Sequence, residues 1–183
     1  QPQHAVYQAL ASAQRPLIVV GGSVLNRTDG PAILAVLEKL AQAVKTVVTP
    51  QWHGFNVLQT HAGRVAAFDV GCLPAAPGLD TAGIAQAAQA NALDVLFVYG
   101  EGRASEAVLP PTGAGRAKCT VFIGTHRSAL AERADIILPA AAHTEKTAWW
   151  VNAEGRVQEA KAAVLPPLQA KEDWKIFRAL SAT

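Results

Sequence analysis

The chain has 183 residues, 50% of them hydrophobic and 16% charged, and its 16 basic and 14 acidic residues leave a formal net charge of +2. This length suffices for one domain with a substantial core. The near-even charge balance argues against a nucleic-acid-binding groove or a polybasic membrane surface. No apolar run reaches the roughly 18 to 20 residues that a membrane-spanning helix needs. Because the chain begins at Gln1 and contains no methionine, we expect it to be part of a longer protein.

Helices and strands are predicted to alternate from the start of the chain. A helix over residues 5–14 precedes a continuous apolar run at 17–20, which is typical of a strand buried on both faces. Asp29 is the predicted cap of the next helix, whose apolar positions recur at helical spacing as far as Val44. A short strand at 46–48 follows.

Residues 51–80 carry frequent glycine and proline and weak periodicity. This composition predicts a long irregular excursion, with one helical turn near 65–68. Excursions of this size within a domain are commonly functional or interfacial. We therefore expect the segment to be functional or to form an interface.

Regular alternation resumes after residue 80. The predicted elements are a helix at 81–90, a strand at 93–99, a short helix at 104–108, a strand at 118–123, a helix at 128–132, a strand at 135–138 and a last amphipathic helix at 171–180. This order predicts an α/β fold with a mostly parallel, doubly wound, Rossmann-like sheet. We assign residues 1–142 to this α/β domain and 143–183 to an extended segment and a terminal helix packed on it.

The usual cofactor and catalytic motifs are missing from the sequence. It contains no G-x-G-x-x-G dinucleotide fingerprint, no phosphate-binding G-x-x-x-x-G-K-[ST] loop and no G-x-S-x-G nucleophile motif. Cys72 and Cys119 are isolated, and the five histidines have no metal-ligand spacing. The sequence therefore predicts no catalytic residue, no metal site and no cofactor within these residues.

Polar residues concentrate in the segment after residue 142. The predicted network contains Glu145, Asn152, Glu154, Arg156 and Gln158. Arg156 is expected to form a charge-assisted pair with Glu145 or Glu154. Such a network either fixes the position of a segment that crosses the edge of the sheet or binds a ligand. We favour the structural role because buried polar networks commonly select one arrangement.

These residues also carry a resemblance. The stretch from Ala134 to Gln158, with its Asn-x-Glu-Gly-Arg-x-Gln motif, resembles the molybdopterin-oxidoreductase superfamily. The segments 56–71 and 166–181, the latter with Glu-Asp-Trp-Lys-Ile-Phe-Arg-Ala-Leu-Ser, resemble the G subunit, which is the large iron–sulfur subunit, of the NADH:quinone oxidoreductases of respiratory complex I. The matching motifs are distributed over residues 56–181.

This resemblance implies a structural, cofactor-free portion that supports electron transfer from NADH to quinone. In the family's large subunit the iron–sulfur clusters lie in the N-terminal part, which this chain does not contain. The implied partners are other peripheral-arm subunits, without nucleic acid and without direct membrane insertion. The implied location is peripheral, on the cytoplasmic side of the bacterial inner membrane or the mitochondrial matrix side. Whether the chain counts as an enzyme then depends on the parent protein, since no catalytic group is predicted here.

One alternative is the pterin-binding half of a molybdenum or tungsten enzyme, such as a formate dehydrogenase, with Gly124, Asn152 and Arg156 as cofactor contacts. Trp149 and Trp150 stand where relatives carry a small polar residue before the Asn. That departure, with the complex I-like ending, favours the structural interpretation. A free-standing dinucleotide-binding module is a third possibility, supported only by analogy of fold.

Overall fold

The computed structural model describes residues 4–49, 51–100 and 116–182. The chain is a mixed α/β protein with parallel strand pairing, and it divides into two compact units, Gln1–Cys72 with Trp149–Gln158, and Leu73–Ala148 with Glu159–Thr183. The mixed α/β class predicted from the sequence is confirmed. The boundary placed after residue 142 stays a prediction, and the helix predicted at 104–108 lies outside the described residues.

Most of the predicted helices and strands are present with shifted ends, but the helix predicted at 128–132 is only a 3₁₀-helix at Ala131–Arg133, and the short helix at Gly22–Leu25 was not predicted. The first unit contains α1 (Ala5–Ser12), β1 (Ile18–Gly21), α2 (Gly22–Leu25), α3 (Gly30–Ala43), β2 (Val47–Thr49), β3 (Trp52–His53), β4 (Phe55–Leu58) and α4 (Arg64–Asp69). The second unit contains α5 (Thr81–Gln89), β5 (Val95–Tyr99), β6 (Cys119–Gly124), a 3₁₀-helix (Ala131–Arg133), β7 (Ile136–Pro139) and α6 (Asp173–Leu180). A hairpin of β8 (Ala148–Val151) and β9 (Val157–Ala160) has its tip in the first unit.

Strand β1 pairs in parallel with β4 in the first unit, from Ile18 opposite Phe55 to Gly21 opposite Leu58. Gly54 allows this pairing to begin. Its carbonyl accepts from Ile18 N at 2.7 Å, its own N–H donates to Thr46 O at 2.8 Å, and a Cβ at this position would lie 2.1 Å from Pro16 O. Glycine is therefore required for this close backbone approach.

The prediction that residues 51–80 are irregular is wrong for the part that forms β3 and β4. The predicted turn at 65–68 is confirmed and lies within α4. Asp29 occupies the predicted N-cap position of α3, but its side chain makes no cap hydrogen bond and instead accepts from Arg27 Nε at 2.7 Å. This exposed pair lowers the pKa of the Asp29 carboxyl.

The second unit is built on three parallel strands in the order β5-β6-β7. Val98, Phe122 and Ile137 lie side by side in the register. On one face of the sheet Leu96, Val98 and Phe122 form a core with Leu130 and Ala131. On the other face α6 contributes Ile176 to a cluster that contains Val121, Ile123 and Ala140. Residues of both faces are thus apolar, as expected for parallel strands.

None of the helices in the described ranges combines the length and apolar character that crossing a membrane requires.

Candidate functional site

A pocket of about 600 Å³ lies in the second unit, at the carboxyl ends of β6 and β7. In parallel α/β sheets this edge is the usual place for ligands. The pocket is lined by Thr125, His126, Pro139, Ala140, Ala142, Glu145, Pro167, Leu168, Gln169 and Ala170. Three chain segments therefore build it: the turn after β6, the turn after β7 and the loop that precedes α6.

The loop that precedes α6 is held against the end of β7 by backbone hydrogen bonds. Ala141 N donates to Lys171 O at 2.8 Å, and Lys171 N donates to Pro139 O at 3.1 Å. Together they make a parallel bridge between Ala140 and Lys171. Leu168, at the apex of the loop, has a φ of 48° and a fully exposed side chain. The bridge brings residues 167–170 to the rim of the pocket.

Glu145 is held in place by a turn that it closes itself. Its N–H donates to Ala142 O at 2.9 Å, and its Oε2 accepts from Ala142 N at 2.9 Å. Its other carboxylate oxygen, Oε1, accepts no hydrogen bond from the part of the chain that the structure describes. The side chain is half-buried. The pocket wall therefore carries a carboxylate whose orientation is set by the backbone.

Beside this turn, Lys146 forms an ion pair with Asp173, the first residue of α6. Only 17% of the Lys146 side chain and 19% of the Asp173 side chain are exposed. A carboxylate at this position also interacts favourably with the N-terminal end of the helix. Asp173 Oδ1 is buried and accepts no hydrogen bond within the described ranges. Partial burial of the ring, and then the adjacent Asp173 carboxylate, raise the pKa of Tyr99 above its ordinary value.

Asn152 organises the tip of the β8–β9 hairpin. Its Oδ1 accepts from Glu154 N at 3.0 Å and from Arg156 N at 2.9 Å. Gly155 N donates to Asn152 O at 3.0 Å, and Gly155 has a φ of 79°, a backbone conformation that glycine adopts readily. The pattern is that of a three-residue hairpin loop that ends on a left-handed glycine.

The structure brings only some of the predicted network residues together. Asn152, Glu154 and Arg156 share the hairpin tip, whereas Glu145 belongs to the second unit. Among the described residues Arg156 has no ion-pair partner, and its side chain is exposed, as are those of Glu154 and Gln158. The charge pair predicted for Arg156 is therefore not observed here. The structural role predicted for the five residues stays a prediction.

The residues proposed for a pterin cofactor are likewise distributed over both units. Gly124 ends β6 in the second unit, where its carbonyl accepts from Ala140 N at 3.0 Å. Asn152 and Arg156 belong to the first unit. Trp149, also in the first unit, is 63% exposed, whereas Trp150 is half-buried beside Gly63, where a Cβ would lie 3.6 Å from the indole Cζ3.

A smaller pocket, of about 270 Å³, occupies the first unit at the carboxyl ends of β1 and β4. Gly22, Thr60 and Arg64 contribute to its wall. Gly22 lies just beyond the first predicted strand at 17–20. Among the described residues no group of three His, Cys, Asp or Glu side chains is arranged to hold a metal ion.

Sequence reasoning missed the Lys146–Asp173 pair. The two residues are 27 positions apart, and no local spacing rule connects them. The Glu-Asp-Trp-Lys motif contains Asp173, but a motif of four consecutive residues carries no information on a partner so distant in the chain.

A family model described as molybdopterin oxidoreductase matches residues 2–183. The chain belongs to this family. Over 179 residues it is 37% identical to the NADH-ubiquinone oxidoreductase 75 kDa subunit of Reclinomonas americana, an alignment that covers 98% of the chain and 24% of the relative.

Two further relatives give the same result. The chain is 38% identical to the mitochondrial NADH-ubiquinone oxidoreductase 78 kDa subunit of Neurospora crassa over 94% of the chain and 21% of the relative. It is 35% identical to the G subunit of the NADH-quinone oxidoreductase of Rickettsia bellii over 98% of the chain and 24% of the relative. The resemblance stated from the motifs is confirmed, and the chain spans about a quarter of the length of these relatives.

Proposed function

We propose that this chain is a structural, cofactor-free portion of the large iron–sulfur subunit of an NADH:quinone oxidoreductase, respiratory complex I. In this role it supports the part of the enzyme that transfers electrons from NADH to quinone, and it carries no catalytic group itself. The observation that carries the proposal is the similarity to three subunits of such enzymes along 94% or more of the chain. Iron–sulfur clusters are expected in parts of the parent protein that lie outside the residues of this chain.

The charge of the larger pocket supports the cofactor-free part of the proposal. A pterin dinucleotide carries phosphate groups, which proteins usually bind with Arg, Lys or clustered backbone N–H donors. The described wall of this pocket contains Glu145 but no Arg or Lys. A negative side chain at the usual ligand edge of the sheet disfavours an anionic ligand there.

We also propose a more detailed topology and domain division for the chain. We expect a mostly parallel, doubly wound, Rossmann-like sheet over residues 1–142, with residues 143–183 as a segment and helix packed on it. The parallel pairing of β1 with β4, and of β5, β6 and β7, supports this arrangement. A domain built for catalysis elsewhere in the family would then serve as a support, since one fold can host several functions.

The proposed partners are other subunits of the peripheral arm. The proposed location is peripheral, on the cytoplasmic side of a bacterial inner membrane or on the mitochondrial matrix side, held by the complex without direct membrane insertion. The similarity to complex I subunits supports both statements.

Affinity purification from the native organism tests this function. The protein, tagged as the organism makes it, is purified from membranes in a mild detergent. We expect NADH:quinone oxidoreductase activity and the other peripheral-arm subunits to co-purify with it. Recovery of formate dehydrogenase activity instead would contradict the proposal and support the pterin-binding alternative.

A further inference from the structure

The larger pocket has a combination of features that neither the family membership nor the proposed function assigns to a ligand. Six of the ten residues that line it are Pro, Ala or Leu: Pro139, Ala140, Ala142, Pro167, Leu168 and Ala170. Its volume of about 600 Å³ falls within the roughly 300 to 1,000 Å³ of ordinary ligand sites. The occupant must therefore present apolar surface.

The charge in this pocket limits the occupant further. Glu145 is the one Asp, Glu, Lys or Arg side chain among its described lining residues. Its Oε2 is engaged by Ala142 N, while Oε1 accepts nothing from the described chain. A carboxylate whose position is set by the backbone, with one oxygen available, is suited to bind a cation.

We infer that this pocket binds an arginine side chain presented by a neighbouring polypeptide. The aliphatic part of arginine packs on apolar walls while its charged end is held elsewhere. Its planar guanidinium donates to a carboxylate in a defined geometry. Charge complementarity to Glu145 thus selects the occupant. The inference rests on the proposed function only in that another subunit of the peripheral arm would supply the arginine.

An NMR titration of the ¹⁵N-labelled chain tests this inference. The probe is N-acetyl-arginine amide, and its control is N-acetyl-citrulline amide, which has nearly the same shape without the charge. We expect saturable shifts of the Gly124, Ala142 and Ala170 amide signals with arginine, with a Kd of the order of 1 mM. The citrulline probe should bind about tenfold more weakly or not at all.

A substitution provides the second arm of the test. In Glu145→Gln the side-chain oxygen still accepts from Ala142 N–H, so the turn is retained while the charge is removed. We expect this variant to lose the preference for arginine over citrulline. The matched control is Glu154→Gln, at an exposed carboxylate in the first unit, which should leave the preference unchanged.

Equal shifts with the arginine and citrulline probes, or no shifts with either, would overturn the inference and leave the proposed function intact, because co-purification tests that function separately. GDP provides a third arm, since it resembles the nucleotide half of a pterin dinucleotide. Binding of GDP at the same amides would overturn both this inference and the cofactor-free function.

Discussion

The Lys146 ammonium donates to Asp173 Oδ2 in an ion pair from which most of the solvent is excluded. Lys146 lies just before β8, whereas Asp173 is the first residue of α6. The pair therefore links the segment that follows β7 to α6, the helix that packs on the same sheet. Ile176, one turn further along α6, is buried against Val121 and Ile123. We conclude that the ion pair and this apolar contact together hold α6 against the sheet.

Replacing Lys146 by methionine should strongly destabilise the second unit. The aliphatic volume is largely retained, but Asp173 is left with an unpaired buried charge, and breaking such a pair costs about 3 to 5 kcal/mol. The free energy of unfolding, measured by urea denaturation, checks this expectation. Lys118→Met is the matched control, because Lys118 and Asp94 form a pair that is 75% and 81% exposed and should contribute less than about 1 kcal/mol. Similar losses in the two variants would refute the account of the buried pair.

Substitutions at the hairpin tip should separate Asn152 from Arg156. Asn152→Ala removes the acceptor of two backbone N–H groups and should cost about 1 to 2 kcal/mol. Asn152→Asp retains an acceptor at the same place and should recover most of the loss. Arg156→Ala changes an exposed side chain and should alter stability by no more than about 0.5 kcal/mol. A larger effect of Arg156→Ala in the same denaturation assay would instead support the predicted charge network.

The ionisation of Tyr99 should make stability depend on pH in the alkaline range. Burial and the Asp173 carboxylate raise the pKa of Tyr99 in the folded chain, while in the unfolded chain it is about 10. Because the folded pKa is the higher one, this contribution to stability is fully present below pH ~10 and is lost as the pH rises from there towards the folded pKa. The unfolding free energy of the native chain should thus fall more steeply above pH ~10 than that of Tyr99→Phe.

Absorbance titration of tyrosinate measures the same pKa directly. The chain has two tyrosines, so Tyr7→Phe leaves Tyr99 as the only one that titrates. Asp173→Asn in this background should shift the Tyr99 midpoint downwards, because one of its two causes is removed. An unchanged midpoint would show that Asp173 has no influence on the hydroxyl.

Cys72 offers a probe for the expected subunit contact of residues 51–80. Its side chain is exposed, and Val70 and Phe68 in the same unit are 79% and 42% exposed. Exposed apolar residues in one segment are typical of an interaction surface. We expect iodoacetamide to alkylate Cys72 rapidly in the isolated chain and much more slowly in the assembled complex, as read by mass spectrometry. The half-buried Cys119 is the internal reference, and equal Cys72 rates in both samples would exclude the contact.

Local sequence patterns predicted those helices and strands whose characteristic residues lie within the element or next to it. The apolar run at 17–20 overlaps β1, although Val19 is 51% exposed and the strand is thus not buried on both faces as predicted. The small-residue segment after Asp80 became α5, with the Asp80 carboxylate accepting from Gly83 N at 2.8 Å. Strand β4 was missed because Asn56 interrupts its apolar pattern, and its partner β1 is distant in sequence. Asp29 stands at the N-cap of α3 as predicted, but its carboxylate accepts from the neighbouring Arg27 guanidinium and makes no cap hydrogen bond to the backbone.

The candidate site was less predictable than the fold because its geometry depends on residues that are distant from one another in the sequence. Glu145 was selected as a polar residue near a motif, but its turn with Ala142 and its position on a pocket wall depend on three segments meeting at one sheet edge. The bridge between Ala140 and Lys171, which closes that edge, joins residues far apart in the chain. Such contacts follow from the tertiary fold, and residue spacing alone does not encode them.

The metal content of the protein, purified as the organism makes it, tests the central claim most directly. Iron, molybdenum and tungsten per polypeptide are measured by plasma mass spectrometry. The account predicts abundant iron with neither molybdenum nor tungsten, as expected for an iron–sulfur protein in which this portion is a cofactor-free support. Molybdenum or tungsten at near one atom per chain would contradict it, and would make Gly124, Asn152 and Arg156 candidate pterin contacts.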